Sequence, residues 1–148
     1  MDTNDLRELM EKAARHLTGR PCVVRLRPPA WVGADGCCFK RADGAAVIDL
    51  DPGLGPDRML DVFAHEAAHI RLDFATMPRR APDDDPPPGS KSVSALARKL
   101  WAKEPMETTA DALGKQWAAY ARAKPAWYVF DVWEVAQYIR ALAYMPKP

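Results

Sequence analysis

His65-Glu66-Ala67-Ala68-His69 sets two imidazoles four residues apart, with a carboxylate beside the first. On an α-helix, residues four apart lie about 40° apart around the axis and about 6 Å apart along it. Both rings can then reach one metal ion. Glu66 is turned by about 100° from His65 and can touch a water on that ion without ligating it. This HExxH pattern puts two ligands and a general base on one helical turn, the layout of a zinc hydrolase. The bland alternative is two exposed histidines on an ordinary helix, and the flanking residues separate the two readings. Met59, Leu60, Phe63, Ala67 and Ile70 recur at three- and four-residue spacing, which predicts a helix with a buried stripe around the motif. Pro56 and Asp57 suit its start, with Asp57 as the N-cap.

A catalytic zinc site takes three protein ligands and a water. Downstream of the motif the chain offers Glu104, Glu107, Asp111 and Glu134. Glu107 fits best. It opens Glu107-Thr108-Thr109-Ala110-Asp111, and on a helix Glu107 and Asp111 share a face. Glu107 is therefore the expected third ligand. Asp111 is the expected acceptor for the outer ring nitrogen of a ligating histidine, a contact that fixes ring orientation. The alternative for Glu107 is a solvated first-turn glutamate favoured by the helix dipole. Glu104 is the backup, and Asp73 is a weaker ligand candidate or a partner for a histidine. A metzincin needs a glycine and a third histidine after HExxH; Leu72 and Ala75 stand there instead.

The elements that must position these residues give an α+β order. Leu6, Leu9, Met10, Ala13, Ala14 and Leu17 predict an amphipathic helix over residues 3–18, stopped at Gly19. His16 reads as a boundary residue of that helix. Cys22–Leu26 reads as a strand; Cys37–Lys40 and Ala45–Leu50 read as a hairpin turning at Ala42-Asp43-Gly44. The expected sheet is small and antiparallel. Residues 77–92 carry five prolines and Asp83-Asp84-Asp85, so a mobile surface loop is expected there. Val93–Trp101 and Pro105–Ala123 read as helices. Val129–Met145 reads as a core helix, with Trp127, Tyr128, Trp133 and Tyr138 as packing residues.

At 148 residues the chain is expected to be one domain. A net charge of +1 gives no strong pull toward nucleic acid or anionic membrane, so direct nucleic-acid binding is not expected. No apolar run reaches the length of a membrane span. Met1-Asp2-Thr3-Asn4-Asp5 does not resemble a signal peptide. Cys22, Cys37 and Cys38 are odd in number and form no CxxC, so reduced thiols in the cytoplasm are expected.

Together these features resemble the ImmA/IrrE family of zincin-like metallopeptidases. Arg58, Phe63, Ala64, His65, Glu66, Ala67, Ala68 and His69 match that family's "RxxFtlAHElgH" helix. Glu107, Ala110, Asp111, Leu113 and Gly114 fall on its later "ExxANxFAxxLL" helix, with Asp111 for the usual Asn and Leu113 for the usual Phe. The likeness runs from about residue 5 to residue 123. Tyr120, the proline-rich segment and the Trp/Tyr-rich C-terminal helix depart from it. The resemblance implies a minimal zincin-like fold with Zn2+ bound by His65, His69 and Glu107, and Glu66 as base. It also implies a phage or bacterial setting in which relatives cut or bind helix-turn-helix repressors.

The expected reaction is peptide-bond hydrolysis in a protein substrate. An extended substrate would pair with a strand such as Ala46–Leu50. Tyr120, Tyr128 and Arg71 are unranked candidates for stabilising the oxyanion. The main rival is a non-catalytic zinc-binding interaction protein of the same fold, acting on a phage or bacterial regulator. A nucleic-acid-associated protease and a metal-free helical domain are the others.

Overall fold

The computed structural model describes residues 2–29, 31–32, 34–77, 79–80, 91–92, 104–124 and 134–148. Helix α1 (Thr3–Thr18) starts from a capping box in which Asp2 and Asp5 bond each other's backbone N–H groups. It ends at Gly19, whose φ of 68° suits a residue without a Cβ. Four strands follow: β1 (Cys22–Leu26), β2 (Trp31–Val32), β3 (Gly36–Arg41) and β4 (Ala46–Leu50). Helix α2 (Pro56–Asp73) carries the HExxH motif and runs into a short 3-10 turn at Phe74–Thr76. Then come β5 (Arg79–Arg80), β6 (Lys91–Ser92), α3 (Pro105–Ala123) and α4 (Glu134–Ala143). Among the described residues the arrangement is α+β, four α-helices with a small mixed sheet.

The sheet is not wholly antiparallel as expected. Its order is β1-β4-β3-β5; the β3–β4 hairpin is antiparallel, but β1 lies parallel to β4, Cys22 opposite Ala46 through Leu26 opposite Leu50. Alternation in the sequence marks a strand but not its neighbour. Here β4, every residue of which is buried, takes the centre between β1 and β3. Both of its edges are therefore occupied, and it cannot receive a substrate strand as expected. β2 and β6 form a separate parallel pair.

Helix α2 lies against this sheet and between the other helices. Met59, Leu60, Phe63, Ala67 and Ile70, the predicted stripe, are all buried in one core cluster with Met10, Leu17, Ile48 and Leu50. Its N-cap is Gly55 rather than Asp57. Pro56 takes the first helical position, where its missing N–H costs nothing. Asp57 falls one residue inside and pairs with Arg122 on α3 at 3.3 Å. Gly36 lets β3 start hard against α2. A Cβ there would meet Val62 Cγ1 at 2.6 Å and Asp49 O at 3.0 Å. On the sheet, the buried Asp49 takes two hydrogen bonds from Arg25, at 2.6 and 2.7 Å.

α1 and α3 keep the predicted bounds. α4 buries Val135, Ala136, Ile139, Leu142 and Ala143 as expected. His16 hydrogen-bonds the Met145 carbonyl, tying α1 to the end of α4. The helix expected over Val93–Trp101 lies outside the described residues, as do Trp127, Tyr128, Trp133 and residues 81–90 of the proline-rich segment. Among the described residues, no helix is long and apolar enough to cross a membrane.

Candidate metal centre

His65 and His69 leave the same face of α2 one turn apart, their ring centroids 4.7 Å apart and their planes at 86°. Their Nε2 atoms are 3.1 Å apart. Helix α3 crosses over this face and brings Glu107 from its first turn. Glu107 Oε2 lies 2.9 Å from His65 Nε2, and Oε1 lies 2.9 Å from His69 Nε2. One ligand atom from each residue falls within 4.8 Å of the other two, and the three form a group that could hold a metal ion.

The spacing of the two imidazoles suits a tetrahedral site. Arms of about 2.0–2.1 Å at tetrahedral angles put neighbouring ligand atoms about 3.3 Å apart. The two Nε2 atoms, 3.1 Å apart, come within a few tenths of an ångström of that spacing, and Glu107 sets one carboxylate oxygen 2.9 Å from each of them. Two imidazole nitrogens and a carboxylate crowded this closely need shared positive charge between them. In their own hydrogen bonds protons supply it. Burial works to lower the pKa of His69, but hydrogen bonds to Glu107 and Asp73 outweigh it and raise it to about 9. The hydrogen bonds from His65 and His69 hold the Glu107 carboxyl down to about 2.

Asp73, one turn after His69, accepts from its Nδ1 at 3.0 Å and so turns Nε2 toward the group. That is the role expected first of Asp111 and second of Asp73. Asp111 stands 3.9 Å from His65 Nδ1, beyond hydrogen-bond range, and pairs with Lys115 at 2.8 Å. The four-residue step from His69 to Asp73 was the available signal.

Glu66 is where two clefts meet. One, about 520 Å³, is bordered by three ion pairs: Asp35 with Arg58, Asp61 with Arg122, and Asp111 with Lys115. The other, about 450 Å³, runs past the metal group between Cys38 of β3 and Met77 and Met106. Both are lined by Gly36, His65 and Glu66. Cys38 is a site residue that sequence reasoning missed. Burial, reinforced by the Glu66 carboxylate to which it hydrogen-bonds, pushes its thiol pKa well up, so the thiol stays protonated as a donor. Nothing in the sequence says which face of β3 meets α2.

The remaining candidates lie elsewhere. Glu104 is exposed at the N-cap of α3, and Glu134 accepts from the Tyr138 hydroxyl at 2.9 Å. Arg71 reaches the Leu17 carbonyl and Tyr120 lies under Lys124; neither lines either cleft. Tyr128 is outside the described residues. No family model, curated protein or solved structure compared with the chain matches it.

Proposed function

We propose that the protein is a zinc-dependent metallopeptidase of the zincin type that hydrolyses a peptide bond in a protein substrate. The observation that carries the reading is the convergence of His65, His69 and Glu107 on one point, with Glu66 opening onto the same clefts. Two imidazoles and a carboxylate are the donor set of a gluzincin-type zinc site. His65, His69 and Glu107 would hold the ion, and Asp73 fixes the ring of His69 through Nδ1. Zinc, when bound, supplies Lewis acidity toward a water and a carbonyl oxygen. Glu66 takes the water's proton at its carboxylate and passes it to the leaving amine. The protonated Cys38 thiol is a donor beside that carboxylate.

An extended substrate would lie along the Gly36–Phe39 part of β3 rather than β4, because β5 pairs only with Lys40 and Arg41 and because Gly36, Cys37 and Cys38 line the cleft beside Glu66. The ImmA/IrrE resemblance makes a helix-turn-helix repressor the partner class to try first. The described cysteines are unbridged, which suits a reducing cytoplasm.

The test is metal content and cleavage measured side by side. Wild type should carry one zinc per chain, and His65→Ala and Glu107→Ala should lose it. Glu66→Gln should keep the zinc and lose cleavage of an unstructured protein such as casein. Zinc held as tightly by Glu107→Ala as by wild type removes Glu107 from the ligand set. Cleavage at the wild-type rate by Glu66→Gln removes the proposed base, and absence of cleavage in wild type itself leaves a zinc-binding interaction protein.

A further inference from the structure

Gly114 lies in the middle of α3, where glycine is the poorest helix former after proline. It is buried, and it faces backbone. A Cβ at this position would sit 3.0 Å from both Cα and N of His65 and 3.1 Å from the carbonyl carbon of Ala64. Ordinary contact between carbon atoms is about 3.5–4.0 Å. A crowding side chain can rotate away; the backbone of α2 cannot. A methyl group here therefore requires α3 to lift or roll from α2 by a few tenths of an ångström.

That displacement acts directly on the metal group. Glu107 is the one ligand of the three that α3 supplies. It precedes Gly114 by seven residues, two helical turns, so both lie within about 20° on the same face of α3. Gly114 presses on the backbone of His65, the ligand whose Nε2 lies 2.9 Å from Glu107. Ligand distances in a metal site hold to about 0.2 Å, less than the shift a methyl group demands. The buried Ala64, Ala67 and Ala68 of α2 and Ala110, Ala118 and Ala121 of α3 keep the crossing close along its length. At Gly114 the approach is to the backbone of a ligand residue, His65.

We propose that Gly114 is a positioning residue whose missing side chain sets the spacing of α2 and α3 and so holds Glu107 on His65 and His69 at metal-binding distance. This rests on the metal-centre reading above. The experiment compares Gly114→Ala and Gly114→Val with Ala121→Val, a change on the same buried face two turns farther from Glu107. Zinc affinity is measured by chelator competition, and coordination by the visible absorption of the Co2+-loaded protein. Folding is followed by the circular dichroism and thermal unfolding of the metal-free chain. Gly114→Ala should bind zinc about 10-fold more weakly, within the 10–100-fold range of lost supporting contacts. Gly114→Val should bind more weakly still, and both should shift the cobalt spectrum while remaining helical. Ala121→Val should unfold at lower temperature yet keep wild-type affinity.

Wild-type affinity with an unshifted cobalt spectrum in Gly114→Ala overturns the proposal, and so does an equal loss of affinity in Ala121→Val. If Gly114→Val does not fold, Gly114→Ala decides alone. A wild-type protein that binds neither zinc nor cobalt overturns the metal-centre reading, and the inference falls with it. Binding by wild type that the Gly114 changes leave intact overturns only the inference.

Discussion

His69 is held at both ring nitrogens, by Glu107 at Nε2 and by Asp73 at Nδ1. Removing Asp73 frees the ring to turn, so Asp73→Ala should weaken zinc binding by about 10–100-fold in chelator competition. Asp111→Ala should cost much less, because Asp111 is 3.9 Å from His65 and engaged with Lys115. The same contacts set a pH dependence in the metal-free protein. His69 rises from 6.5 to about 9 in the fold, so its pairing stabilises fully below pH 6.5 and is lost as pH rises through 9. Glu107 falls from 4.5 to about 2, so its share is present above pH 4.5 and lost as pH drops through 2. The Tm difference between metal-free wild type and His69→Ala should therefore be largest between pH 4.5 and 6.5 and shrink toward pH 9. A difference flat across that range counts against the pairing. Zinc must displace the His69 proton, so zinc affinity should climb over the same alkaline rise.

The helices α2 and α3 carry the site because each has one face for the core and one for the clefts. Phe63, fully buried on α2 two residues before the motif, anchors the core face. Phe63→Ala should cost about 3–5 kcal/mol, read as a lower urea midpoint at unchanged slope. A cost under about 1 kcal/mol, the scale of a surface change, would mean that α2 is held in some other way. At this scale the sequence was informative where periodicity was strong. The stripe Met59-Leu60-Phe63-Ala67-Ile70 defined α2, and Leu6 to Leu17 defined α1. It failed at Asp57, because Pro56 at the first helical turn moves the cap back to Gly55. It failed again on β1 and β4, whose residues alternate or run apolar equally well for parallel and antiparallel neighbours.

For the molecule as a whole, a metal bound by His65, His69 and Glu107 would link parts of the chain that are far apart in sequence. Binding that favours the folded state adds about 4 kcal/mol at a free zinc concentration of 1,000 Kd. In a domain of this size that is a rise of roughly 10 °C in Tm. Chelation should remove it, and Asp73→Ala should show a smaller chelation shift at the same free zinc. A Tm indifferent to zinc and chelator alike would break the link. The spacing of His65, Glu66 and His69 was fixed by the sequence alone, since the helical repeat turns a four-residue step into one face. Glu107 was legible as the third ligand from its carboxylate at the start of a downstream helix, but the crossing that carries it to the histidines was not. Only the tertiary structure decided that. It set α3 across α2 at a crossing that Gly114 keeps close, left Asp111 3.9 Å from His65 Nδ1, and placed Cys38 beside Glu66. The physical reason is the same in each case. Local periodicity fixes which side of an element a residue occupies, and only packing fixes what stands opposite it.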